Sequence, residues 1–164
     1  MINKLNSIFV TFFGIGKIKK IPGTFASLAT TLLLFFLFHI LNVSPNIILF
    51  AVIIIFLISL YAVNIFIKDL SNKDPKEVVI DEVIGQSIPL YLYEVSHNAP
   101  KDFNDALKLY LIIFILFRFF DIAKPFPVNY FDKNFKNSFG VIMDDVVAAL
   151  YVVLILVLFM VITT

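Results

Sequence analysis

Four apolar runs divide the chain: Phe25–Leu41, Ile47–Ile67, Ala106–Phe120 and Val146–Ile162. The second holds 21 residues and no charge, enough for a helix to cross the hydrocarbon of a bilayer. The others are 15 to 17 residues long, so as spans they draw on flanking residues or thin the bilayer locally. A fifth run, Ile84–Tyr93, has only 10 residues and contains Gly85 and Pro89. It predicts either a re-entrant segment or part of a longer crossing, because a helix of that length covers about 15 Å.

The positions of Lys and Arg arbitrate between these two paths. If Ile84–Tyr93 crosses, Lys4, Lys17, Lys19, Lys20, Lys68, Lys73, Lys76, Arg118, Lys124, Lys133 and Lys136 share one side, leaving Lys101 and Lys108 opposite, eleven against two. A re-entrant path gives nine against four. The positive-inside rule favours the crossing and makes the crowded side cytoplasmic. Three polar loops then face the cytoplasm: the N-terminal arm through Gly23, Lys68–Glu82 and Asp121–Asp145. Together they hold nine of the 12 acidic residues. The outer turns are Asn42–Asn46 and Glu94–Asp105, the latter with Asn98 and Pro100 as turn formers.

Composition agrees with a lipid environment, since 60% of the 164 residues are apolar and 15% are charged, against about 25% charged in soluble domains. At the N-terminus, apolar Ile8–Phe13 precedes Lys17, Lys19 and Lys20, the reverse of a cleavable signal peptide. No repeat or low-complexity linker interrupts the chain. The expectation is one all-α domain over residues 1–164, a polytopic membrane helical bundle of about four transmembrane helices with cytoplasmic catalytic loops. A net charge of +1 excludes a nucleic-acid partner. The absence of cysteine excludes disulfides, thiolate nucleophiles and Cys-ligated metals.

Charge inside the apolar runs is the informative part. Asp81 and Glu82 interrupt V-V-I-D-E-V-I-G where a membrane segment begins, a position that suits either a helix-start carboxylate or a functional one. In F-R-F-F-D-I-A-K-P-F-P, Arg118, Asp121 and Lys124 recur every three residues along one side of a helix that Pro125 ends. They form either a salt-bridge ladder or a phosphate clamp with a metal-holding carboxylate. Asp144 and Asp145 are a further acidic pair at the mouth of the last run, either a solvated helix N-terminus or ligands of a hard divalent ion.

Taken together, Asp81, Glu82, Asp121, Asp144 and Asp145 beside Arg118 and Lys124 form a chemistry set for metal-assisted phosphoryl transfer at one interface. The two histidines, His39 in the first run and His97 in an outer turn, lie away from these acids, which argues against a histidine nucleophile or a Ser-His-Asp triad. His39 reads as a packing residue. In K-K-I-P-G-T-F-A-S-L-A, Thr24 either caps the first span or, with the free amides there and Lys19 and Lys20 nearby, helps to receive a phosphate.

The order P-G-T (22–24), D-E-V-I-G (81–85), F-R-F-F-D-I-A-K-P-F-P (117–127) and G-V-I-M-D-D (140–145) resembles bacterial phosphatidylglycerophosphatase A over most of the chain. The resemblance implies a Mg2+-dependent phosphatase of the bacterial cytoplasmic membrane that removes the terminal phosphate from phosphatidylglycerophosphate. The implied site comprises Asp81, Glu82, Asp121, Asp144 and Asp145 as catalytic and metal-holding acids, with Arg118, Lys124, Thr24 and Gly23 at the phosphate. Two rival readings use the same residues differently. A small cation transporter or channel would line an ion path with the carboxylates, and a non-enzymatic membrane subunit would use them for docking.

Overall fold

The described residues form seven α-helices and no strand. The computed structural model describes residues 4–96 and 102–163, so His97, Asn98, Pro100 and Lys101 lie outside the described residues. The helices are α1 (Lys4–Val10), α2 (Pro22–Phe35), α3 (Pro45–Ile67), α4 (Ile80–Ser96), α5 (Phe103–Ala123), α6 (Val128–Asn134) and α7 (Ser138–Thr163). A π-helical turn, Phe36–Ile40, prolongs α2. Three helices are long and apolar enough to cross a membrane: Pro22–Ile40, Pro45–Ile67 and Ser138–Ile162. Ala106–Phe120 lies within α5, which also carries Asp105, Lys108, Arg118 and Asp121.

Helix α3 is uncharged throughout and exposes Ile47, Phe50, Ile54, Leu57 and Tyr61, while α7 exposes Leu150, Leu154, Leu158 and Phe159. Apolar surface on that scale suits lipid rather than water. Ser27, Thr30 and Thr31 on α2 are buried, and each hydroxyl donates to the carbonyl four residues back, so none is left unsatisfied in the bundle.

Ile84–Tyr93 is the middle of a continuous 17-residue helix, α4, and does not fold back on itself. Gly85 and Pro89 would weaken such a helix in isolation. Packing against α2, α3, α5 and α7 overrides that weakness, and Ile84, Gly85, Gln86, Ser87, Pro89 and Leu90 are all buried. Helix α4 is therefore the axis of the bundle. About 25 Å separates its two ends along the helix, and each end gathers a different polar group.

At the C-terminal end of α4, Glu94 Oε1 accepts a hydrogen bond from Tyr110 Oη at 2.9 Å and lies 3.1 Å from His39 Nε2. The His39 ring packs on Phe35 with centroids 4.6 Å apart, so the residue does pack the bundle and also has a polar partner. Tyr110→Phe is expected to lower thermal stability in detergent by about 1 kcal/mol, the worth of one hydrogen bond to a carboxylate between helices. Hydrolytic activity, measured in the same preparation, should stay at the wild-type level because the acidic cluster lies at the other end.

Candidate active site

The first turns of α2 and α4, the last turn of α5 and the second turn of α7 converge at the opposite end of the bundle. Asp81 and Glu82 occupy the first turn of α4. Asp144 and Asp145 stand two turns inside α7 and are 6% and 3% exposed, which corrects the expectation of a pair at the mouth of a helix and removes the solvated-terminus reading. Oxygens of Asp81, Glu82 and Asp145 lie within 4.8 Å of one another. Gly85 makes this approach possible: a Cβ there would stand 2.8 Å from the Phe117 ring and 3.0 Å from Asp145 Cβ.

The cations do not form one ladder. Arg118 Nη1 lies 2.6 Å from Asp121 Oδ2 and 3.9 Å from Glu82 Oε1, and it donates to Ser27 Oγ at 3.3 Å. Helix α5 ends at Ala123, before Pro125, and Lys124 caps it in the left-handed region at φ +44°. That turn carries Lys124 away from Asp121 and onto α6 and α7, where Nζ donates to Asp132 Oδ1 at 2.6 Å and to Asp144 Oδ2 at 2.9 Å. Burial by itself would lower the Lys124 ammonium, but Asp144 and Asp132 outweigh it and hold the pKa above its ordinary value. Lys124 stays charged at any physiological pH.

The start of α2 closes the site. The helix begins at Pro22, and its N-cap is Ile21, in the left-handed region at φ +47°, with no side-chain cap. Thr24 is therefore inside the first turn and is not the cap, which corrects the capping alternative. Thr24 lines a cavity of about 540 Å³ that also contains Asp81, Glu82, Asp121, Asp144 and Asp145. Gly23 sits so close to Glu82 that an added Cβ would stand 1.8 Å from Oε1 and 3.3 Å from Arg118 Nη1. All nine residues singled out in the sequence line this cavity.

Asp81, Glu82 and Asp145 fit a hard divalent cation. Three carboxylates that are mostly enclosed repel one another, and Glu82 Oε2 is buried without a hydrogen-bond partner among the described residues. An all-oxygen donor set suits a hard divalent cation better than a softer metal.

A family model described as phosphatidylglycerophosphatase A matches residues 8–160. The chain belongs to the phosphatidylglycerophosphatase A family. Membership makes it a phosphatase, a phosphoric monoester hydrolase. Phosphatidylglycerophosphatase A of Haemophilus influenzae is 38% identical, over 87% of this chain and 81% of that one. A putative phosphatidylinositol-3-phosphatase of Bacteroides thetaiotaomicron is 35% identical over 86% and 84% of the two chains. Phosphatidylglycerophosphatase A of Escherichia coli is 29% identical over 83% and 72%. No solved structure matches the chain.

In this phosphatidylglycerophosphatase A family member, sequence reasoning missed Asp132, the second anchor of Lys124, and Asp74 and Lys76, which line the cavity from the loop between α3 and α4. All three are polar residues in polar stretches of sequence, Asp132 on the short helix α6, so no periodicity or motif set them apart. Gly23→Ala is expected to reduce activity about a hundredfold, because the new methyl, 1.8 Å from Oε1, displaces the Glu82 carboxylate by about an ångström or more. Steady-state kinetics on the purified variant check this, with retained helical circular dichroism showing that the bundle still folds.

Proposed function

We propose that the chain hydrolyses the terminal phosphomonoester of phosphatidylglycerophosphate at the cytoplasmic face of a bacterial membrane, with Mg2+ held by Asp81, Glu82 and Asp145. The observation that carries the reading is the meeting of those three acids, Arg118 and Lys124 in one cavity at one end of the bundle. Bound there, Mg2+ would neutralise phosphate charge and lower the pKa of a water. Arg118 and Lys124 orient the phosphate oxygens and balance the charge that develops on them. Asp121 and Asp144 hold these two cations in place, and one of the site aspartates takes the proton of the attacking water. Water oxygen bonds to phosphorus, the bond from phosphorus to the glycerol oxygen breaks, and that oxygen leaves as the alcohol after gaining a proton.

The proposed topology has α2, α3, α5 and α7 as spans around α4, which also carries the chain across, with the site on the side of the N-terminal arm. The eleven-to-two distribution of Lys and Arg supports it. Substrate tails then stay in the bilayer while the head group enters the cavity. An ion path suits the geometry less well, since the site acids gather at one end and α3 carries no charge. A docking role would leave hydrolysis unaffected when Asp144 and Asp145 are neutralised. The test is phosphate release by the purified protein from phosphatidylglycerophosphate, with phosphatidylinositol 3-phosphate as the competing substrate. Faster turnover of the inositol lipid would reassign the substrate and keep the chemistry.

A further inference from the structure

We infer that Lys19 and Lys76 form a second phosphate subsite at the rim of the cavity, which recognises the phosphodiester of the substrate while the inner site acts on the terminal monoester. The inference rests on the proposed reaction. Both lysines line the same cavity as the acidic cluster. Neither belongs to an ion pair among the described residues, whereas the inner cations are committed: Arg118 to Asp121 and Glu82, and Lys124 to Asp132 and Asp144. Lys19 and Lys76 are thus the cavity-lining cations whose charge no carboxylate offsets among the described residues.

Two backbone contacts hold their loops together. Val79 N–H donates to Val10 O at 3.0 Å, and Gly16 packs so tightly that a Cβ there would stand 2.0 Å from Glu77 O. Glu77 follows Lys76 directly, and Gly16 precedes Lys19 by three residues, so the lock joins the two segments that bear the lysines. Between Lys19 and the inner site, Ile21 adopts φ +47°, a conformation that a β-branched residue takes only when its surroundings enforce it. Two residues on, Gly23 lies so close to Glu82 that an added Cβ would stand 1.8 Å from Oε1. Lys19 therefore stands two residues before a strained backbone position at the entry to α2.

A substrate with a phosphomonoester and a phosphodiester separated by a glycerol fits such a two-part site. A lipid with a single phosphate, such as phosphatidic acid, reaches the inner site alone. The lysines would then act as specificity determinants without taking part in bond cleavage.

The test compares wild type with Lys19→Gln/Lys76→Gln on both lipids in neutral detergent micelles, where no anionic surface competes. The expected result is a fall of about tenfold in kcat/KM for phosphatidylglycerophosphate, carried mainly by KM, with less than a threefold change for phosphatidic acid. Equal losses on both lipids, or no loss on the first, would overturn the subsite while wild-type turnover still upheld the reaction. A wild type that hydrolyses neither lipid would overturn the reaction and the subsite together. If the lysines only anchor the protein to anionic membranes, the double variant loses activity in vesicles rich in phosphatidylglycerol but none in micelles, which also counts against the subsite.

Discussion

Asp145→Asn is expected to cut phosphate release from phosphatidylglycerophosphate by about a thousandfold while the bundle becomes more heat-stable in the absence of divalent ions. The side chain is 3% exposed, and its oxygen lies within 4.8 Å of oxygens of Asp81 and Glu82. Asparagine has nearly the same shape, so the contact of its Cβ with Gly85 survives. What changes is charge. One of three mutually repelling carboxylates disappears, which relieves the cluster in ion-free buffer, and the same change removes a ligand that a divalent cation needs. The expected loss follows from the size of electrostatic and metal contributions in such sites. Thermal unfolding with and without Mg2+ supplies the second reading: wild type should gain stability from the ion and the variant should not.

Arg118→Ala is expected to lower stability by about 3 kcal/mol as well as to abolish hydrolysis, because truncating one partner of an enclosed ion pair strands the other. Arg118 and Asp121 are both largely enclosed, at 14% and 13% side-chain exposure. The same guanidinium donates to Ser27 on α2, so its loss also loosens α5 from α2. Pairing the change with Asp121→Asn should restore much of the stability and none of the activity, which separates the structural part of the effect from the chemical part. Arg118→Lys should restore most of the stability but leave activity at least tenfold down, since an ammonium cannot reproduce the forked geometry of a guanidinium. Chemical denaturation in detergent and steady-state kinetics on the same samples measure both.

Much of this arrangement was legible from periodicity and motif order. The uncharged run Ile47–Ile67 is the body of α3, and the acids that interrupt apolar runs are the ones that meet in the cavity. Charge within apolar sequence is a strong signal because placing it there is costly. Less legible were features set by packing. Gly85 and Pro89 suggested a break, yet α4 runs through both because four helices enclose it. Asp144 and Asp145 looked like a helix start, yet α7 begins at Ser138, where Gly140 fits against the Phe135 carbonyl with no room for a Cβ. Lys124 looked like the third rung beside Asp121, but its left-handed cap turns it toward Asp132 and Asp144. Asp74, Lys76 and Asp132 carry no sequence signal, because a polar residue in a polar stretch is unremarked until the fold places it at the cavity, as for Asp74 and Lys76, or against Lys124, as for Asp132.

The most direct measurement is phosphate release from phosphatidylglycerophosphate by the purified protein in neutral detergent, first after chelation and then across a Mg2+ titration. The expected result is negligible release after chelation, saturable recovery with Mg2+, and no recovery in Asp81→Asn or Asp145→Asn at the same ion concentrations. Full release after chelation, or wild-type turnover in either variant, would contradict hydrolysis by a cation held at Asp81, Glu82 and Asp145.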